Sequence, residues 1–134
     1  MSEVDDFLPE VLPRLRVAEI ALHRGDARPR KTLWSHGGPV ALFGAETSRS
    51  GWSEVGPMSD WVAGRFTECT SSEYEVVAAG VGGDLACLVA IGRITGAADG
   101  VPTSYALRVT TAFRKEDGTW KAVHRHGDPW RQCE

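Results

Sequence analysis

Between Ser104 and Asp128 the chain carries its longest alternating stretch, and that pattern limits what the rest can fold into. Tyr105, Leu107, Val109, Thr111 and Phe113 interleave with Ala106, Arg108, Thr110, Ala112 and Arg114, the mark of a strand with one buried face. Asp117-Gly118 supplies the two positive-φ positions of a type I′ loop, so the stretch is predicted to be one long β-hairpin. With Glu116 facing Thr119, the register puts Phe113 opposite Ala122, Thr111 opposite His124 and Val109 opposite His126. Trp120, Ala122, His124, His126 and Asp128 then share the inner face with the apolar set. Two strands of about ten residues would each run ~33 Å if flat, so they are expected to curve around something.

What such a hairpin can be packed against follows from the size of the chain. Its 134 residues suit a single domain, 1–134, able to bury roughly two-thirds of its unfolded surface without staples. A net charge of -3 leaves no electrostatic footprint for nucleic acid. No apolar run approaches the ~18 residues of a membrane span, and Met1 to Asp6 is acidic where a secretory signal is basic, so a cytoplasmic protein with no membrane partner is expected. Cys69, Cys87 and Cys133 are odd in number and widely spaced, which suggests neither a disulfide framework nor a zinc ribbon. Cys87 is read as a core residue and the other two as incidental thiols.

In chain order, Pro9 and Pro13 blur the start of a first helix whose apolar stripe is Val11, Leu12, Leu15, Ala18 and Leu22. Arg14, Arg16, Glu19 and His23 fall mostly on its other side. Asp26 caps a short second helix that turns Leu33 and Trp34 inward. Val40 to Phe43 is a short buried strand, and Ser48 to Gly51 is a turn into a third helix, with Gly56-Pro57 a kink or restart. Strands follow at Tyr74 to Val81 and Leu85 to Thr95. Both faces of the latter are uncharged, so one is expected against helices and the other against a second subunit. Helices first and antiparallel strands after them make the fold class α+β, with the helices on one face of the sheet.

The sequences Leu33-Trp34-Ser35-His36 before Pro39-Val40, Gly51-Trp52 opening a helix, Leu107-Arg108-Val109-Thr110, and Asp117-Gly118-x-Trp120-Lys121-x-Val123-His124-Arg125-His126 carry a resemblance along essentially the whole chain. They resemble the SnoaL-like branch of the NTF2-like superfamily, related to ketosteroid isomerase. The resemblance implies a cone: a curved, mixed, mostly antiparallel sheet wrapped around three N-terminal helices, with an open-ended apolar pocket and usually a homodimer. It does not name an activity, because one cone serves isomerases, cyclases, dehydratases, hydrolases and non-catalytic binding or association domains. The isomerase pattern of an aspartate base against a tyrosine and a protonated acid transfers badly. The first helix has no tyrosine, and Leu107, Val109 and Thr111 offer no buried acid.

The pocket is expected on the concave side, with Tyr105, Val109, Thr111 and Phe113 projecting into it and Trp34 and Trp52 as walls. His124, His126 and Asp128 at the far end of the hairpin admit three readings. They can be structural, each hydrogen-bonded to backbone or water. They can be catalytic, with His126 oriented by Asp128 and His124 nearby moving a proton on a bound carbonyl, enol or epoxide. They can ligate a metal, but they spread over ~13 Å of flat strand, so no metal and no cofactor is assigned. Arg108 and Arg114 face outward on this register, and a one-residue bulge would bring Arg108 inward to anchor a carboxylate. The expected partner is therefore a small apolar or weakly acidic metabolite, and the expected function is either acid–base catalysis on it or binding alone.

Overall fold

Apolar residues three and four apart hold the first helix, α1 (Glu3–Leu22), against the sheet: Phe7, Val11, Leu15, Ala18 and Leu22 are all buried. Glu3, Asp5 and Asp6 sit in its first turn, where negative charge is favourable beside the positive end of the helix dipole. The helix runs through Pro9 and Pro13 rather than starting after them. Both rings lie on the exposed side, away from the contacts that hold the helix in place. The structure, a computed structural model, describes residues 3–45 and 47–130, so Cys133 lies outside the described residues.

After α1 come α2 (Arg28–Leu33), β1 (Ala41–Phe43), β2 (Ser48–Ser50), α3 (Trp52–Arg65), β3 (Phe66–Gly82), β4 (Leu85–Ala98), β5 (Val101–Glu116) and β6 (Thr119–Pro129). Ser48 to Ser50, expected as a turn, is an edge strand antiparallel to β1. The third helix is continuous despite Pro57, and β3 begins eight residues before the expected Tyr74. One mixed six-stranded sheet results, ordered β2-β1-β6-β5-β4-β3, antiparallel throughout except that β1 runs parallel to β6. With the three helices on its concave side, this is the α+β cone of NTF2-like proteins. No helix among the described residues is long and apolar enough to cross a membrane.

The core joins α1 to the hairpin through aromatic contacts. Phe7 meets the rings of Phe113 and Trp120 edge-on, each at 5.3 Å between centroids. Trp34, Val55, Met58, Leu88 and Ala122 belong to the same cluster. On β4 the inward residues Ala86, Leu88 and Ala90 are buried while Cys87 is exposed, so Cys87 is not a core residue and, of the two described cysteines, Cys69 is the buried one. Among the described residues the convex face of β4 is left partly open, with Val89 and Ile91 half-buried and Leu85 60% exposed.

Register shifts bend the sheet. Three interrupt the β3–β4 ladder, and one lies between β5 and β6. The Asp117-Gly118 turn has the expected positive φ angles, 51° and 80°, and Phe113 does face Ala122. Beyond that pair Val123 has no partner on β5. His124 then faces Ala112, Arg125 faces Thr111, His126 faces Thr110, Gly127 faces Val109 and Asp128 faces Arg108. The expected pairs Thr111 with His124 and Val109 with His126 are thus displaced by one residue, because a bulge absorbs Val123.

Gly96 shows how tightly one of these irregularities is built. A Cβ there would land on the carbonyl oxygen of Glu68 and stand 3.1 Å from Cys69 Cα, so no side chain fits without moving β3. Gly96→Ala is expected to destabilise the fold by about 1–3 kcal/mol, as overpacking does. Gly64→Ala, on α3 with nothing within 4 Å, should be neutral or stabilising by up to about 1 kcal/mol. Thermal unfolding of the two variants side by side checks both signs.

Candidate functional site

Residues directly opposite in an antiparallel ladder point to the same side of the sheet. His124, His126 and Asp128 therefore point with Ala112, Thr110 and Arg108 to the convex face, away from the concave side where all three were expected. Asp128 accepts two hydrogen bonds from the Arg108 guanidinium, at 3.1 and 2.9 Å. Arg108 is thus outside the cavity, and the carboxylate is not oriented on an imidazole. The His124 ring nitrogen Nδ1 meets the Ala41 carbonyl at 2.9 Å, and Phe43 stands edge-on to both imidazoles. Among the described residues no group of three or more potential metal ligands converges.

The same bulge turns Arg125, Gly127 and Pro129 inward, where they border a cavity of about 380 Å³. Leu22, Leu42, Met58, Val62, Phe66 and Leu107 give it apolar walls, and Trp61, 51% exposed, stands at its mouth with the Arg65 guanidinium over its ring. Of the six expected lining residues, only Tyr105 borders this space. Val109, Thr111 and Phe113 face the interior as expected but are buried in the core beyond the cavity. Trp34 is a core residue with 2% exposure, and Trp52 stacks on His36 at 3.9 Å; neither borders the cavity.

Apart from Tyr105, which was expected in the pocket, the polar floor of the cavity is made by residues that the sequence pattern places outward or does not single out. Glu19 and His23 close the buried side of α1, Arg30 comes from α2, Tyr105 from β5 and Arg125 from β6. Glu19 Oε1 accepts from Arg30 Nη2 and lies 3.5 Å from Arg125 Nη1, so one carboxylate oxygen serves two guanidinium groups. His23 Nδ1 lies 2.7 Å from the Glu19 backbone carbonyl, which fixes the proton on Nδ1. Nε2 is then a bare acceptor, and the Tyr105 hydroxyl donates to it. The Phe66 ring packs against the imidazole at a tilt of 55°, 4.3 Å between centroids.

Burial and charge fix the protonation states. Burial pushes the Glu19 carboxyl up, but Arg30, Arg125 and His23, with the Arg30 hydrogen bond, outweigh it and hold the group at about 2. Burial pushes His23 below the usual imidazole value against the pull of Glu19. Burial and the Glu19 carboxylate push the Tyr105 phenol above its usual value. At neutral pH the floor thus holds two arginines, one carboxylate and a neutral Tyr–His pair, a net charge of +1.

A curved six-stranded sheet with three helices on its concave side and a cavity between them is the cone fold of the NTF2-like class. The model of the SnoaL-like domain matches residues 20–129, and the chain belongs to that family. Nothing matches it among curated proteins. Several solved structures share the fold. An NTF2-like superfamily protein from Salmonella enterica serovar Typhimurium superposes with a TM-score of 0.78 at 14% identity, over 98% of this chain and 96% of its own. A proposed dehydratase of the NTF2-like family from Streptomyces avermitilis gives 0.75 at 19% identity, over 96% and 99%. The CaMKII hub of S. rosetta gives 0.69 at 20% identity, over 91% and 95%.

Both shifted groups make the fold acid-labile. His23 is depressed from 6.5, so below that value the unfolded chain takes up a proton that the buried imidazole refuses, and stability falls as pH drops. Glu19, depressed from 4.5 to about 2, adds a second loss as pH falls across that window. Thermal unfolding between pH 8 and 3 should show both limbs, and His23→Gln should remove the upper one. A melting temperature independent of pH between about 7 and 5 would contradict the buried neutral imidazole.

Proposed function

We propose that the cavity binds a small, mostly apolar molecule through one anionic group, a carboxylate, with Arg125 as its anchor. The observation that carries this reading is the guanidinium of Arg125. It is nearly buried, yet its hydrogen bonding among the described residues is a single 3.5 Å contact to a carboxylate oxygen already used by Arg30. A planar fork with spare donors in a low-dielectric floor of net charge +1 favours a monoanion, and carboxylates match its geometry. The walls supply what the rest of the ligand needs: Leu22, Leu42, Met58, Val62 and Phe66 offer apolar contact to a body the size of one or two rings.

The protein is also a homodimer in this reading, joined through the convex sheet face. Cys87, Val89 and Ile91 line that face uncharged, beside the exposed Leu85 and Val77. The likeness to a hub and to association domains supports assembly through this fold. Sedimentation equilibrium tests it: dimer is expected at micromolar concentration, and a monomer up to several hundred micromolar would refute it.

Binding is tested by titrating the protein with phenylacetate and hexanoate, against their amides, while following tryptophan fluorescence. The carboxylates are expected to bind and the amides to bind at least tenfold more weakly. Arg125→Met should lose about 10- to 100-fold in affinity, the worth of a charge-assisted hydrogen bond of ~1.5–3 kcal/mol. Equal affinity for acid and amide, or an Arg125→Met protein that binds as the parent does, would overturn the reading.

A further inference from the structure

From the floor of the cavity we infer a proton-transfer function: Tyr105 is the catalytic residue and His23 the relay behind it, acting on 2-oxo acids that carry an apolar substituent. The inference rests on the carboxylate-binding reading above and names its substrate class. Both members of the Tyr–His pair border the cavity, and the Tyr105 hydroxyl is committed to His23 Nε2. That geometry leaves the lone pairs of the phenol oxygen toward the space a ligand fills, while its proton already points at an acceptor. His23 is 2% exposed and held by the Glu19 carbonyl, so its ring is fixed in the tautomer a relay needs. Two arginines sit beside the pair, where a carboxylate and an adjacent developing oxyanion would lie.

A 2-oxo acid joins the three features, because its carboxylate, its ketone and its acidic C–H lie on consecutive carbons. With the carboxylate on Arg125, the C–H bond beside the ketone breaks and its proton forms a bond to Tyr105 Oη. The phenol's own proton passes to His23 Nε2 at the same time. The electron pair left on carbon moves into the new carbon–carbon double bond, and the ketone oxygen takes the negative charge as an enolate, stabilised by the guanidinium groups. Return of the proton to that oxygen gives the enol; return to carbon regenerates the ketone. Nothing is oxidised or reduced, and no co-reactant is consumed. The imidazolium formed in the first step is stabilised by its Nδ1–H bond to the Glu19 carbonyl and by the Glu19 carboxylate 3.9 Å away.

Phenylpyruvate in deuterium oxide is the probe, its binding measured by fluorescence and its loss of methylene protons followed by NMR. The wild-type protein should accelerate exchange over a buffer containing free imidazole. Tyr105→Phe should bind phenylpyruvate within a few-fold of the parent and exchange at least about 100-fold more slowly, the usual contribution of a positioned acid–base group. His23→Gln can still donate to the Glu19 carbonyl and accept from Tyr105 but cannot take a proton. It should bind, lose exchange to a similar degree, and lose the fall in rate at low pH that the parent shows as His23 is protonated. The charged and titratable groups facing His23 are Glu19 from α1, Arg30 from α2, Tyr105 from β5 and Arg125 from β6, and that profile is read against all four.

A wild-type protein that binds phenylpyruvate without accelerating exchange would overturn the relay and leave carboxylate binding standing, as would a Tyr105→Phe protein that exchanges normally. Binding of phenylacetate without binding of phenylpyruvate would overturn the substrate class alone. Failure of every carboxylate to bind would overturn both readings.

Discussion

Val123 has no partner across the hairpin, and every side chain beyond it on β6 is turned over as a result. The period of a strand is two, so one inserted residue exchanges the two faces completely. Arg125 thereby enters the cone beside Leu42 of β1, and His124 and His126 leave it to flank Phe43 on the outside. The charged floor of the cavity cannot be assembled without this step, because the ladder without it would bring His124 and His126 inside and leave Glu19 with Arg30 alone. A local backbone irregularity therefore sets the chemistry of the pocket, while the turn and the core pairing of Phe113 with Ala122 stay where alternation places them.

What keeps that floor in place is the carboxylate of Glu19. A buried guanidinium without a partner is several kcal/mol unfavourable, and here two of them converge on one oxygen from separate elements, α2 and β6. Glu19 ties both to α1, and its backbone carbonyl holds His23 one turn further on. The arrangement satisfies Arg30 well and Arg125 poorly. The difference is one of contact: Arg30 makes the closer ion pair with Glu19 and Arg125 the longer one, which is why the proposed binding role falls to Arg125.

Much of the scaffold was legible in the sequence, and most of the floor was not. The Asp-Gly turn, the stripe from Val11 to Leu22 and the inward set Ala86, Leu88 and Ala90 each follow from local periodicity, which is strong where one face must be apolar. The bulge had no such signal. Beyond Ala122 the two possible inner sets are His124, His126 and Asp128 or Arg125, Gly127 and Pro129, and neither is apolar enough for burial to choose between them. Glu19 and His23 were hidden differently. They sit at the edge of the α1 stripe, Glu19 four residues after Leu15 and His23 four after Glu19, and charged residues at an edge read as solvated unless a partner is known. Arg30 and Arg125 are those partners, and they come from elements 11 and 106 residues away.

The charge on the floor also bears on how the Tyr–His pair can work. With the cavity empty, the net charge of +1 and the burial of the imidazole both oppose a second positive group, so His23 is held neutral and is a weak base. An anion seated on Arg125 cancels that charge a short distance from the ring. The imidazolium then forms in a neutral surrounding, with Glu19 still beside it, and the proton affinity of His23 rises when the substrate is in place. By reciprocity the anion binds more tightly to the form in which His23 carries the proton, which is the state the transfer creates. In the proposed reaction, the electrostatics that would draw a monoanion into the cone would thus also stabilise the proton-transfer step after it has bound.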